Sequence, residues 1–204
     1  MKKYLQPVLQ IIFLAIFIFL IISGKVQLWM GLFILSVPAA LLLGRVYCGW
    51  ICPINTVMRG ITWIKKKLRL KSAGTPGWLT KPWIRLFVLG LFIAAFIFIM
   101  VSGKKLPVLP VLFAIGVLLT CFYPEELWHR YLCPYGTMMS FPARKAKHAM
   151  AIEPRLCNNC GGCERVCPAK AVEKSERGYE IRKEDCIVCM SCAGACKQKA
   201  ITYR

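Results

Sequence analysis

Long apolar stretches alternate with short polar ones over the first 142 residues of the chain. Four of them cover residues 5–22, 26–43, 83–101 and 106–123, and none has a charged residue near its middle. A helix that crosses a bilayer needs about 20 apolar residues, so the pattern predicts four transmembrane helices arranged as two hairpins. Lys2 and Lys3 precede the first stretch as in a signal peptide. No small-residue cleavage site follows and a second stretch begins at once, so we expect the first helix to be retained.

The segment between the second and third apolar stretches has a different pattern. Apolar residues recur at helical intervals on one side of residues 54–69, and basic residues occupy the other side. The apolar positions are Ile54, Val57, Met58, Ile61, Ile64 and Leu68, and the basic positions are Arg59, Lys65, Lys66 and Arg69. We expect an amphipathic helix that lies in the membrane interface.

Basic residues are unevenly distributed around the apolar stretches. The segment between the second and third stretches holds Arg59, Lys65, Lys66, Lys67, Arg69, Lys71 and Lys81, whereas the turns near Lys25 and near Lys104 and Lys105 are poorer. Cytoplasmic loops of membrane proteins carry the excess of lysine and arginine, which predicts an inner-membrane protein with both termini in the cytoplasm. The formal net charge of +19 is then expected to bind anionic lipid headgroups, and we expect no nucleic acid partner.

The membrane half contains an internal repeat. Residues 14–25 and 93–104 are identical at seven of twelve positions, and each hairpin is followed by a cysteine–proline pair, Cys52-Pro53 and Cys133-Pro134. The repeated units are therefore about residues 1–60 and 83–140. Together with the amphipathic segment they form a predicted four-helix membrane domain over residues 1–149.

The polar remainder, residues 150–204, carries a cysteine run that is written twice. The spacing C-x2-C-x2-C-x3-C occurs at Cys157, Cys160, Cys163 and Cys167, and again twenty-nine positions later at Cys186, Cys189, Cys192 and Cys196. This is the spacing of bacterial two-cluster ferredoxins, in which the fourth cysteine of each run ligates the other cluster. The sequence thus predicts two [4Fe–4S] clusters, one on Cys157, Cys160, Cys163 and Cys196, and one on Cys186, Cys189, Cys192 and Cys167.

The alternatives for these eight cysteines fit less well. Structural zinc takes two separated C-x2-C pairs, and disulfides are rare inside cells. The segments 171–174 and 179–181 alternate apolar with polar residues around Gly178, which predicts a short hairpin between the runs. A domain this small buries too little apolar surface to be stable alone, so we expect an α+β ferredoxin domain whose core is the clusters.

A second group of candidate ligands lies at the cysteine–proline turns. Cys48 and Cys52 are four residues apart, which places both on one face of a helix, and the corresponding pair in the second repeat is His129 and Cys133. If the two repeats are related by approximate symmetry, the four residues come together at the cytoplasmic ends of the helices. They would then bind a further metal or cluster, act as redox-active thiols, or simply pack where the helices turn.

Three further residues near the second cysteine–proline turn, Cys121, Glu125 and Glu126, are candidates for a structural or a functional role. Cys121 has no counterpart in the first repeat, and we expect it to be a buried apolar residue. Glu125 and Glu126 precede His129, where the three residues could form a proton relay. Proline followed by two carboxylates is also typical of the first turn of a helix, and we favour that interpretation.

The chain resembles the polytopic membrane 4Fe–4S ferredoxin family, which includes the NapH-type quinol dehydrogenase membrane subunits and the membrane parts of NosR-type and CcoG-type proteins. The matching residues are 44–53 (GRVYCGWICP), 130–134 (RYLCP) and the two ferredoxin runs. In that family the second turn usually has C-x3-C-P, so His129 is a departure. The resemblance implies single-electron transfer between a quinol or another membrane donor and a cytoplasmic or membrane-embedded redox partner, as a subunit of a quinol-linked oxidoreductase. The alternative is a non-catalytic redox carrier or sensor that serves metal-centre assembly, reduction or regulation.

Overall fold

The computed structural model describes residues 5–102, 108–176 and 178–204. Lys2, Lys3, Lys104 and Lys105, which contribute to the charge and repeat arguments, lie outside these ranges. Each of the four apolar stretches is helical: α1 Leu5–Ile22, α2 Gln27–Leu43, α4 Pro82–Ser102 and α5 Val108–Phe122. The prediction that these stretches are helical is therefore confirmed.

The apolar helices differ in length. Among the described residues, α1 and α4 are long and apolar enough to cross a membrane, whereas α2 and α5 are apolar helices of 17 and 15 residues. Most residues of α1 and of α4 are not buried within the protein. The amino-terminal part is thus helical with two candidate spans, and a four-span arrangement stays a prediction.

The chain forms two compact units, which are described separately. The first unit comprises Met1–Thr56 together with Met139–Arg204, and the second comprises Val57–Met138. Helices α3 Pro53–Lys67 and α6 Pro134–Ala143 begin at the two cysteine–proline pairs, as proline favours the first position of a helix. The helix predicted over 54–69 is confirmed, and its position in the membrane interface stays a prediction.

Within the first unit, aromatic side chains hold α1 against α2. Trp29 is 2% exposed, packs edge-on against Phe17 with ring centroids 5.1 Å apart, and donates its indole N–H to the Tyr47 hydroxyl at 2.8 Å. Tyr47 begins a π-helical turn, Tyr47–Ile51, that ends when the N–H of Cys52 reaches the Tyr47 carbonyl at 2.9 Å. Such turns are rare and often mark functional sites.

The ferredoxin part of the first unit is built from short elements. Helices α7 Gly162–Val166 and α8 Ser191–Ala195 lie within the two cysteine runs, each between the second and the fourth cysteine. The strands are β1 Met150–Ile152, β2 Val172–Ser175, β3 Gly178–Ile181 and β4 Ile201–Tyr203. The hairpin predicted around Gly178 is confirmed, since β2 pairs antiparallel with β3 from Val172 opposite Ile181 to Ser175 opposite Gly178. The antiparallel pairing of β1 with β4, which joins the two ends of this segment, has no signal in the sequence.

The carboxyl end of α2 holds the ferredoxin part. The last turn of a helix leaves four carbonyl groups without intrahelical donors. In α2 the carbonyl of residue 40 accepts the N–H of Gly44 at 3.0 Å. The carbonyls of residues 41 and 42 accept the N–H groups of Lys147 and His148 at 3.0 and 2.8 Å, and the carbonyl of residue 43 accepts the Tyr203 hydroxyl at 2.9 Å. Main-chain carbonyls of this helix thereby hold β4 and the segment that precedes β1.

In the second unit, the carbonyl groups at the carboxyl end of α5 also accept hydrogen bonds from another segment. The Lys65 ammonium group donates to the Thr120 carbonyl at 2.9 Å, and the N–H of Ala73 donates to the Phe122 carbonyl at 2.9 Å. Lys65 belongs to the basic side of the amphipathic segment, but it is only 8% exposed because of this bond. A helix end with free carbonyls attracts a cation strongly enough to bury it.

The second cysteine–proline turn repeats the local structure of the first. Leu127–Leu132 form a π-helical turn that ends when the N–H of Cys133 reaches the Trp128 carbonyl at 2.9 Å. Glu125 and Glu126 open this helical segment directly after Pro124, which confirms that they lie in the first turn of a helix. Cys121 is exposed on α5 beside exposed Leu118 and Phe122. The expectation that Cys121 is buried is wrong, because it lies on the outer face of its helix.

Candidate metal centres

One cavity of the first unit is lined by the four cysteines predicted to hold the second cluster. Its walls include Cys167 from the end of the first run, and the cysteines 186, 189 and 192 from the second run. Apolar side chains of β1, β2 and β3 close the remainder of the wall, namely Met150, Val172 and Ile181. The fold thus brings the fourth cysteine of one run to the first three of the other.

The reciprocal set lines another cavity of the same unit. Cys157, Cys160 and Cys163 lie there with Cys196, and Tyr179 and Ile201 contribute to the wall. The cysteines of this cavity are more accessible to solvent than those of the other cavity. Cys160 is exposed, whereas Cys189 and Cys192 are buried. Eight thiols are therefore arranged as two groups of four, which is the donor set that [4Fe–4S] clusters require.

The backbone of the two runs repeats with the same offset as the cysteines. Left-handed conformations occur in the first run at Asn159 and Gly161, with φ of 56° and 69°, and in the second run at Val188 and Met190, with φ of 54° and 59°. These conformations are costly for Val188, whose branched side chain disfavours positive φ. Two of these residues, Gly161 and Met190, line the two cavities at matching positions of the runs.

Main-chain donors also reach the sulfur atoms. The N–H of Ala171 donates to Cys167 Sγ at 3.3 Å, and such bonds stabilise a thiolate. Burial acts in the opposite direction, because it raises the pKa of the Cys163 and Cys167 thiols, and it raises the pKa of Cys186 to about 12. Iron supplies the positive charge that ionises such thiols, so cluster binding would release their protons.

No three His, Cys, Asp or Glu side chains within the described ranges lie close enough to hold a single metal ion.

The first cysteine–proline turn packs directly on the loop of the second run. A Cβ atom added at Gly49 would collide with the main-chain carbonyl oxygen of Ile187. The indole N–H of Trp50 donates to the Val188 carbonyl at 2.9 Å. Two buried glutamines of α1, Gln6 and Gln10, donate their amide N–H groups to the Gly49 carbonyl at 3.0 and 2.7 Å. The turn is thus fixed on both sides.

A buried arginine lies at the centre of this contact. Arg45 is 1% exposed and donates to the main-chain carbonyls of Glu184 and Asp185 at 3.1 and 3.4 Å. Its other terminal nitrogen is 3.8 Å from Cys48 Sγ, which also lies 3.7 Å from Met139 Sδ. Arg45, Gly49 and Trp50 stand inside the sequence motif 44–53, but the sequence assigns them no role, and nothing in it singles out Gln6 or Gln10.

The predicted set Cys48, Cys52, His129 and Cys133 is divided between the two compact units. In the first unit Cys48 is buried and Cys52 is partly buried. In the second unit His129 and Cys133 are 6% and 8% exposed, and the N–H of Gly136 donates to Cys133 Sγ at 3.3 Å. Each pair is therefore held inside its own unit, and a site built from all four stays a prediction.

Comparison with known proteins identifies two kinds of iron–sulfur domain. A family described as a 4Fe-4S binding domain matches residues 27–71 and again 106–152, and one described as a 4Fe-4S dicluster domain matches residues 156–201. The first family's two matches include the two cysteine–proline turns. These domains indicate that the chain carries iron–sulfur clusters. No solved structure matches the chain.

Similar proteins occur in archaea and bacteria. An uncharacterized protein of Methanocaldococcus jannaschii, MJ0749, is 30% identical, and the match covers 83% of this chain and 68% of that protein. The putative electron transport protein YccM of Escherichia coli is 25% identical over 82% of this chain, and the ferredoxin-type protein NapH of Haemophilus influenzae is 26% identical over 80%. The matches span 53% of YccM and 63% of NapH. On these matches the chain belongs to the family of ferredoxin-type, membrane-associated 4Fe–4S electron-transfer proteins that includes NapH and YccM.

Proposed function

We propose that this protein is a membrane-anchored relay that passes single electrons through two [4Fe–4S] clusters at the cytoplasmic face of the inner membrane. The observation that supports this best is the grouping of the cysteines. Cys157, Cys160, Cys163 and Cys196 line one cavity, and Cys186, Cys189, Cys192 and Cys167 line another. Each set would hold one cluster, and a cluster of this type stores one electron at a time.

The ligand assignment has a direct test in single-cysteine variants. Purified wild-type protein should contain about eight iron and eight sulfide, the contents of two clusters. Cys196→Ser should perturb the cluster on the first run and Cys167→Ser the cluster on the second run. Each variant should therefore lose a different part of the wild-type electron paramagnetic resonance signal. Cys121→Ser is the matched control, because Cys121 lies on α5 of the second unit and lines neither cavity. The assignment fails if both ligand variants lose the same signal, or if the control loses either.

The membrane arrangement of the proposal is four spans, α1, α2, α4 and α5, with both termini in the cytoplasm. It rests on the apolar length of α1 and α4, on the apolar composition of α2 and α5, and on the basic residues between α2 and α4. A reporter fused after residue 204 should be active only in its cytoplasmic form. A reporter fused within the turn after α1 should be active only in its exported form, and the reverse result would contradict the orientation.

The donor is proposed to be a quinol, and the acceptor a redox partner protein. The supporting observation is the contact between the turn that follows α2 and the loop of the second run, which joins a candidate membrane hairpin to a predicted cluster site. Adding a reduced quinol analogue to liposomes that contain the protein should bleach the cluster absorbance. Clusters that dithionite reduces but no quinol analogue reduces would support the non-catalytic carrier or sensor instead.

A further centre on Cys48, Cys52, His129 and Cys133 belongs to the same proposal. Its support is that the family described as a 4Fe-4S binding domain matches both of the stretches that contain these residues. The intact protein would then contain metal beyond the eight iron atoms of two clusters, and Cys133→Ser would remove only that excess. An iron and zinc content equal in the wild type and in Cys133→Ser would argue against the extra centre.

A further inference from the structure

Arg45 lies between the first cysteine–proline turn and the loop that carries Cys186. It is 1% exposed, and it is fixed by bonds to the carbonyls of Glu184 and Asp185, the two residues before Cys186. A buried guanidinium is retained only where its surroundings offset the loss of water. A fixed positive charge therefore lies beside the loop that carries a predicted cluster ligand.

The described part of the first run has no buried arginine of this kind. Arg165 donates to the Cys160 carbonyl at 3.4 Å, but its side chain is exposed to solvent. The residues that correspond to Glu184 and Asp185, twenty-nine positions earlier, are Arg155 and Leu156. Both are exposed, Leu156 to 54%, whereas Asp185 is fully buried. Two clusters with the same ligands and the same backbone are thus placed in different surroundings, one against the turn after α2 and one towards solvent.

This difference affects reduction. When a [4Fe–4S] cluster with four thiolates takes up one electron, its net charge becomes more negative by one, and no proton or ligand need be exchanged. A fixed positive charge close to the cluster stabilises the reduced form and raises the reduction potential. Burial acts in the opposite direction, and so does the carboxylate of Asp185, whose charge is partly balanced by Arg182 at 3.0 Å. Arg45 offsets both effects.

We propose that Arg45 is a positioning residue that sets the potential of the cluster on Cys167, Cys186, Cys189 and Cys192, and that this cluster is the inner one, which lies against the turn that follows α2. The contacts that carry the proposal are the bonds from Arg45 to residues 184 and 185, the approach of Gly49 to Ile187, and the bond from Trp50 to Val188. The cluster on Cys157, Cys160, Cys163 and Cys196 is then the outer one, from which a soluble partner would take the electron. This inference rests on the proposed function, because it needs two clusters.

The test is a potentiometric titration of the full-length protein in detergent, with electron paramagnetic resonance to follow each cluster. Arg45→Gln should shift the inner cluster to a lower potential and leave the outer cluster unchanged. Arg45→Lys keeps the charge and should leave the potential near that of the wild type. Arg144→Gln is the control for overall charge, since Arg144 is exposed in the same unit, and it should shift neither cluster. Variants that hold only one cluster, Cys196→Ser or Cys167→Ser, assign each signal.

Asp185→Asn gives a second measurement in case Arg45→Gln does not fold. It removes a buried negative charge beside the same ligand and should raise the potential of the inner cluster, the opposite of Arg45→Gln. The inference is overturned if Arg45→Gln leaves the inner cluster unchanged, if both clusters shift equally, if Arg45→Lys shifts as far as Arg45→Gln, or if Asp185→Asn has no effect. A wild-type protein without two clusters would overturn the proposed function itself, and iron analysis distinguishes that failure from the others.

Discussion

Glu125 is a carboxyl group buried among basic side chains in the second unit. It is 6% exposed at the start of the second π-helical turn, and it shares a hydrogen bond with Thr62. Burial raises its pKa above the ordinary 4.5, while the Thr62 bond and the charges of Arg59, Lys66 and Lys65 partly oppose that shift. Desolvation therefore outweighs three nearby cations, which shows how strongly this position excludes water.

Glu125 should make the stability of the protein depend on pH. A carboxyl with a raised pKa binds its proton more tightly in the folded state, so its stabilising effect is complete below pH 4.5 and is lost as the pH rises through the raised value. Glu125→Gln cannot lose a proton. The difference in melting temperature, variant minus wild type, should therefore increase as the pH rises from 4.5 to neutrality. Thr62→Val removes a hydrogen bond that lowers the pKa of Glu125, so that pKa should be higher in the variant. The loss of stability should therefore extend to higher pH than in the wild type. Parallel curves for Glu125→Gln and the wild type would contradict this account.

At the scale of elements, the π-helical turn Tyr47–Ile51 is the piece that joins a helical hairpin to a cysteine loop. Its outer side accepts the amide groups of Gln6 and Gln10, and its inner side touches Ile187 and Val188. Glycine at position 49 is what permits the close approach of the two main chains. The turn thus depends on one residue without a side chain.

Gly49→Ala should therefore destabilise the first unit. The new methyl group would overlap a main-chain oxygen, which cannot rotate away as a side chain can, and overpacking of this kind typically costs about 1–3 kcal/mol. The melting temperature of the holoprotein should fall. Gly60→Ala is the matched control, because Gly60 lies within α3 with no heavy atom within 4 Å of the added Cβ. It should raise stability by roughly 0.5–1 kcal/mol, as alanine is the better helix former. Equal effects of the two substitutions would contradict the assigned contact.

At the scale of the whole molecule, the ferredoxin part has little apolar core of its own. The buried cluster of residues at its centre consists of Met150, Val188, Cys192 and Ile201, and one of these is a predicted ligand. A segment of this size cannot bury enough apolar surface to be stable without a further source of free energy. The proposed clusters would supply it, together with the bonds to the end of α2.

Removal of iron should accordingly unfold residues 150–204 and spare the apolar helices. Treatment with an oxidant and a chelator should make Lys170, Lys183 and Lys199 susceptible to trypsin, while most of the helical circular dichroism, which comes from α1 to α6, is retained. Protein treated with chelator alone is the control, because intact clusters should protect these sites. Unchanged resistance to trypsin after complete loss of iron would show that the ferredoxin part is stable without its clusters.

The sequence determined the local features of this protein. The apolar stretches defined the helices to within a few residues, because helix formation on this scale follows the local pattern, and Gly178 marked the β2–β3 hairpin. The spacing of the cysteines predicted which four would meet in each cavity, since a ligand run has to follow the shape of its cluster.

Only the tertiary structure decided which surfaces meet. The pairing of β1 with β4 joins segments that are distant in sequence. The burial of Lys65 follows from a free helix end on α5, and the exposure of Cys121 from the face of α5 on which it lies. The same holds for Arg45. In the sequence it is one of many basic residues, and only the fold shows that it is bonded to the carbonyls of residues 184 and 185. The spacing of residues along the chain determines local geometry, whereas burial and electrostatic contacts depend on the packing of distant segments. The two cysteine loops have identical spacing, so the difference between their surroundings could not be predicted from the sequence.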